Sequence, residues 1–259
     1  MKKIISYLFI ISILSTMLFS NISKHNELIE KYLDVSGQGY MFSTIPSEMA
    51  QMLEQQFAAV GGKVPQEVES IVIEEFTRQS TVNKLTEELN KLSDDTLEKL
   101  IVFYNTDVGK KAANMNRNEG MEDMQTKLPD FLQNMQTNPP SKHRIESMNT
   151  MFQETNAVTG TLSMIESMIR IFNASLPQEQ QMSEEQLKET LLNMNVAMAQ
   201  QLIVTFYYAL RDFTDNEVDE IVKVTLSDEG QAETDAQIAG LTAYADTATK
   251  NIIKSLKKQ

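Results

Sequence analysis

The sequence contains no cysteine and no tryptophan, and its only histidines are His25 and His143. Without cysteine there is no disulfide, no thiol nucleophile, no Cys-ligated metal and no lipid-anchored N-terminal cysteine. Two imidazoles alone make a poor metal site, and no HxxxH or HExxH spacing exists. Gly-x-Ser-x-Gly, a phosphate-binding loop and a dinucleotide fingerprint are also missing. Gly37-Gln38-Gly39 has no preceding strand and no third glycine, so it reads as a loop. No window alternates apolar and polar residues with β-branched enrichment, which excludes a sheet. Beyond the first 20 residues no run is long and apolar enough to span a bilayer. Together these absences argue against an enzyme and against any bound cofactor.

Basic residues are in short supply: 23 Lys and Arg face 36 Asp and Glu, for a net charge of −13. Such a chain is repelled by phosphate backbones and anionic headgroups, so nucleic acid is not an expected partner. The basic charge is further depleted by the first segment. Lys2 and Lys3 precede an apolar run from Ile4 to Phe19, and polar residues follow from Asn21. That pattern predicts a signal peptide over 1–20, cleaved after Ser20, with export to the periplasm and no membrane span in the mature protein. The run is about 16 residues, shorter than the roughly 20 that a spanning helix needs.

What the chain does contain is itself, twice. SDDTLEKLIVFYNTDVGKKA at 93–112 returns without a gap as TDNEVDEIVKVTLSDEGQAE at 214–233. Asp94 falls on Asp215, Leu97 on Val218, Ile101 on Val222, Asp107 on Asp228 and Gly109 on Gly230. The same offset of 121 relates Leu85 to Phe206, Leu89 to Leu210 and Phe131 to Ile252. Upstream the offset slips to 119, where Ile29, Tyr32 and Leu33 meet Met148, Met151 and Phe152. Repeats of this kind set architecture before chemistry. Two tandem modules are expected, 21–138 and 139–259, with the seam at Asn138-Pro139-Pro140, where consecutive prolines cannot continue a helix.

Helical periodicity runs through both modules. Leu28, Ile29, Tyr32 and Leu33 form one stripe, and Gln66–Leu92 and Ser183–Phe213 are long stretches of strong helix formers. Ser183-Glu184-Glu185-Gln186 is a capping box. The prediction is an all-α protein with about five helices per module.

The repeated motif reads as a helix, a very short turn and a second helix. Ser93 and Thr214 cap the first helix of each pair, and acids follow in the first turn, where the dipole favours them. Thr106-Asp107 and Ser227-Asp228 restart a helix, with Gly109 and Gly230 three residues after the caps. A glycine there lets two backbones approach where a Cβ would clash. The expected role is fold-specifying, with ligand contact as a second use of Phe103, Tyr104, Thr106, Asp107, Gly109, Ser227, Asp228 and Gly230.

The run from Leu100 to Lys111, LIVFYNTDVGKK, resembles the hallmark of a bacterial family of secreted helical proteins. That family is known as the domain of unknown function numbered twenty fifty-nine. In it a helix ending in Phe-Tyr runs into a Ser/Thr-x-x-Gly step. The second copy keeps Ser227, Asp228 and Gly230 but has Val224-Thr225 in place of the aromatic pair, so it is a degenerate copy. The resemblance implies export and helicity, and supplies no catalytic residues.

Three groups of residues are candidates for binding chemistry. If the modules pack about a two-fold axis, His25 and His143 would face each other and hold a metal; otherwise each is an exposed residue near a module start. Methionines pair along helices at Met49/Met52, Met121/Met124, Met148/Met151, Met164/Met168 and Met194/Met198. Such pairs pack a core, line an adaptable groove, or hold Cu(I). Asp212, Asp215, Asn216 and Asp219 form an acidic patch that lacks the central glycine and terminal glutamate of a calcium loop. The functional expectation is a non-catalytic envelope protein that binds an apolar ligand or another envelope protein through a Met-lined groove between helices or modules. A copper-binding protein using the methionine pairs is the alternative.

Overall fold

In a computed structural model the chain is described over residues 24–59, 63–64, 70, 78–118, 121–155 and 157–256. Residues 1–20, expected to form a signal peptide, and most of 66–77 lie outside the described residues, as do the side chains of Met121, Met124, Met194 and Met198. The protein is all-α, with no strand among the described residues. None of the described helices is long and apolar enough to cross a membrane.

Helix α1 spans 24–35 and α2 Gln38–Ala59. The Gly37 between them adopts φ 72°, a left-handed conformation that reverses the chain without strain. Gln38 therefore opens a helix instead of lying in a loop, and the predicted loop shrinks to Ser36-Gly37. Helix α3 spans Arg78–Leu89, α4 Asp94–Tyr104, α5 Asp107–Asn118 and α6 Met121–Thr137. After the proline seam come α7 Lys142–Thr155, α8 Ala157–Ser175, α9 Glu184–Ala209, α10 Asp215–Thr225 and α11 Asp228–Leu256. The caps act where the sequence puts them. Ser93 Oγ accepts from the Thr96 amide, and Ser183 and Thr214 each close a full capping box.

The two sequence halves do not build separate cores. One buried cluster joins Tyr32, Phe42, Leu85, Leu97 and Leu100 to Met164, Met168, Ile171, Tyr244 and Ile252 of the second half. The other joins Met148, Met151, Tyr207, Phe213 and Val218 to Phe131, Met135 and Val108 of the first. Each half thus lends its last helix to the other. Phe131 of α6 stands edge-on to Tyr208, with ring centroids 5.3 Å apart. Helix α11 runs between α3 and α8. Its buried stripe, Ala236, Gly240, Tyr244, Ala248 and Ile252, recurs every fourth residue and forms a ridge with small residues at the crossing.

Candidate functional site

Both copies of the motif build the same backbone device. Two residues separate α4 from α5, and two separate α10 from α11. At the first junction Thr106 Oγ1 accepts from the Gly109 amide at 3.0 Å and donates to Phe103 O at 2.8 Å. At the second, Ser227 Oγ accepts from the Gly230 amide at 3.2 Å and donates to Val224 O at 2.6 Å. A Cβ on Gly109 would lie 2.1 Å from Phe103 O, and one on Gly230 2.1 Å from Val224 O. Asp107 and Asp228 are exposed first-turn acids, and Phe103 packs against the core beside Tyr104. Of the eight motif residues, Tyr104 alone reaches the central cavity described below.

The two histidines do not meet. His25 Nδ1 bonds Asp94 Oδ1 at 2.6 Å, and Lys24 bonds Glu98 at 3.0 Å, fastening α1 to α4. His143 Nε2 bonds Asp219 Oδ2 at 2.7 Å, and Arg144 bonds Asp215 at 2.8 Å, fastening α7 to α10. With the 119-residue offset upstream and 121 downstream, Lys24 corresponds to His143 and His25 to Arg144. Their acids correspond too, Glu98 with Asp219 and Asp94 with Asp215. The same two-point clasp is made twice, with the histidine moved to the other position. The pairing with Asp219 raises the His143 pKa above its ordinary 6.5. The acidic patch is consumed in this clasp, since Ser141 and Arg144 hold Asp215 and Ser147 and His143 hold Asp219. No group of three or more His, Cys, Asp or Glu able to hold a metal occurs among the described residues.

The methionine pairs whose side chains are described are core residues. Met49, Met164 and Met168 lie in the first buried cluster, with Met52 packed against it, and Met148 and Met151 lie in the second.

Between the halves lies a cavity of about 250 Å³. At the 121-residue offset Tyr104 corresponds to Thr225, Ala112 to Glu233 and Asn116 to Gln237, and all six line it. In the first two pairs one half places a large group where the other places a smaller one, and the missing volume stays open, while the third pair is polar in both halves. One wall is apolar, with Met115, Met151, Phe206, Leu210 and Ile221. The other is polar and centres on Glu233, which is 8 % exposed. Tyr32 and Tyr104 both donate to Glu233 Oε1, at 2.5 and 2.8 Å. Burial lifts both phenols well above their usual range, so they remain donors, and burial also raises the Glu233 carboxyl.

Gln38 completes this wall. It lines the cavity with Tyr104, while its Oε1 is buried with no partner among the described residues. An unpaired buried acceptor costs free energy, on the order of 1–3 kcal/mol. The amide nitrogens of Asn116 and Gln237 each donate one N–H, to Ser36 O at 2.9 Å and to the Tyr32 hydroxyl at 3.3 Å, and each carries a second. The wall therefore offers donors as well as acceptors. A wider groove of about 770 Å³ between α8 and α11 is open to solvent, and its Arg170 is already paired with Glu166 and Glu184.

Neither Glu233 nor Gln38 was singled out by sequence. Glu233 had a readable signal: it stands three and seven residues before Ala236 and Gly240, on the buried stripe of α11. A charge on an apolar face calls for a partner. Gln38 had none, because its place follows from the turn at Gly37.

No family model matches the chain, and no curated protein and no solved structure matches it either. The resemblance to the secreted helical family rests on the motif residues alone.

Proposed function

We propose that this chain is an exported, non-catalytic binding protein that holds a small ligand in the cavity between its two halves. The cavity carries the reading: residues from both halves line it, with an apolar wall on one side and the buried Glu233 on the other. The wall offers one carboxyl and no histidine, lysine or arginine, a set suited to holding a ligand more than to transferring its protons. The signal pattern at 1–20 and the family motif support a periplasmic protein of that secreted family. The α4–α5 and α10–α11 junctions support a chain built by tandem duplication, in which the equivalent walls have diverged.

The test is native mass spectrometry of the protein purified from the envelope of its own cell. The expected result is one small-molecule adduct that is lost on denaturation and absent from Ala112→Leu, which fills the cavity. A parent protein that carries no adduct, and that no small molecule stabilises against heat, overturns the reading. N-terminal sequencing of the same material is expected to begin near Asn21, and Met1 would refute processing.

A further inference from the structure

The polar wall of the cavity defines the ligand more closely, an argument that rests on the binding function just proposed. Asn116 of α5 and Gln237 of α11 are equivalent residues of the two halves, and both are half-buried primary amides in the lining. Each is anchored through one N–H. Asn116 Nδ2 donates to Ser36 O, just past α1, and Gln237 Nε2 to the Tyr32 hydroxyl within α1. The second N–H of each makes no bond among the described residues, and nothing there donates to Asn116 Oδ1 or Gln237 Oε1. Three other donors of the wall are spent: Thr155 and Thr234 on Met151 O and Gly230 O of their own helices, and Tyr104 on Glu233. Two amides held in place, each with a donor and an acceptor to spare, match a head that itself accepts and donates.

The lining also decides the charge of that head. No lysine, arginine or histidine reaches the cavity, so an anion would enter without a counter-charge and beside the Glu233 carboxyl. Glu233 is committed to the fold, where its Oε1 accepts from both Tyr32 and Tyr104 and joins α1 and α4 to α11. The amides are neutral and ask no charge of what they bind.

The apolar wall sets the rest of the molecule. Met115, Phe206, Leu210 and Ile221 offer no polar side-chain atom other than a thioether. A cavity of about 150 Å³ accepts benzene, so about 250 Å³ accepts a ring or branched chain with a short polar head. We infer that the cavity is a site for a neutral carboxamide on a compact apolar body, with the amides of Asn116 and Gln237 supplying the donor and the acceptor for its head.

The experiment is calorimetric titration of the protein lacking residues 1–20 with benzamide, acetophenone, benzoate and benzylammonium, which share one ring and differ in the head. Benzamide is expected to bind at least about tenfold more tightly than acetophenone, which has a methyl in place of the NH₂ and so leaves the site's carbonyls without a donor. Benzoate and benzylammonium are expected to bind at least about tenfold more weakly than benzamide. Asn116→Leu and Gln237→Met keep side-chain size and remove the amide, and each is expected to narrow the gap between benzamide and acetophenone to less than about threefold. Equal binding of benzamide and acetophenone by the parent protein, or preference for either charged probe, would overturn the carboxamide inference and leave the cavity function standing. Those measurements need no variant to fold. A gap unchanged in both variants would overturn the assignment to Asn116 and Gln237. Failure of all four probes would also sink the inference, and the cavity function falls with it only if the envelope-purified protein carries no adduct.

Discussion

Tyr104 of the first half donates to Glu233 of the second at 2.8 Å, inside the protein and 129 residues away in sequence. The bond ties the motif helix α4 to α11, between the two halves of the sequence. Its acceptor is a carboxyl whose pKa burial raises above 4.5, the hydrogen bonds from Tyr32 and Tyr104 opposing the shift without cancelling it. A raised acid contributes stability that is complete below the unfolded pKa and is lost as pH climbs through the folded one. In Glu233→Gln this pH dependence disappears. The difference in Tm, variant minus parent, is therefore expected to grow from pH 4 toward pH 8. A flat difference across that range would show that the carboxyl ionises freely in the fold.

The junction glycines are predicted to be intolerant even of alanine. A new Cβ would stand 2.1 Å from a backbone oxygen at either site, so the helices must separate. Overpacking costs about 1–3 kcal/mol, against a propensity gain of about 0.5–1 kcal/mol from replacing glycine in a helix. Packing wins. Gly109→Ala and Gly230→Ala are expected to be less stable than the parent in urea, and the leucine variants lower still, with helical circular dichroism kept. Variants that melt at or above the parent temperature would show that the contact does not limit the junction.

Leu100 is 1 % exposed and sits in the first buried cluster. Leu100→Ala should cost about 2–5 kcal/mol, because a cavity replaces side-chain contacts that both halves supply. Chemical denaturation measures it, and a loss under about 0.5 kcal/mol would mean the site can collapse freely.

His143 carries a prediction about the clasp between α7 and α10. Its imidazole is held by Asp219, with Asp215 and Glu146 adding attraction, so its pKa is raised above 6.5. A raised base stabilises the fold below its unfolded pKa, and that contribution fades as pH rises through the folded value. In an NMR titration the His143 midpoint should lie above 6.5 and move down in Asp219→Asn. An unchanged midpoint would detach the histidine from the acid.

Much of this protein is local, and the local part was legible. The caps at Ser93, Ser183 and Thr214, the helical periodicity, the proline seam and the paired Gly109 and Gly230 junctions depend on neighbours within about four residues, so sequence alone determined them. Tertiary structure decided what those helices touch. Phe131 and Ile252 correspond in sequence; Phe131 packs partly buried against residues of the second half and Ile252 lies buried in a cluster with residues of the first, an exchange that no periodicity encodes. The two histidines are held in separate clasps, His25 by Asp94 and His143 by Asp219, because each packs with its own pair of helices. The cavity is the furthest from sequence. It exists because Ala112 and Thr225 are small where Glu233 and Tyr104 are large, and a void forms only when helices distant in the chain meet and leave a volume unfilled.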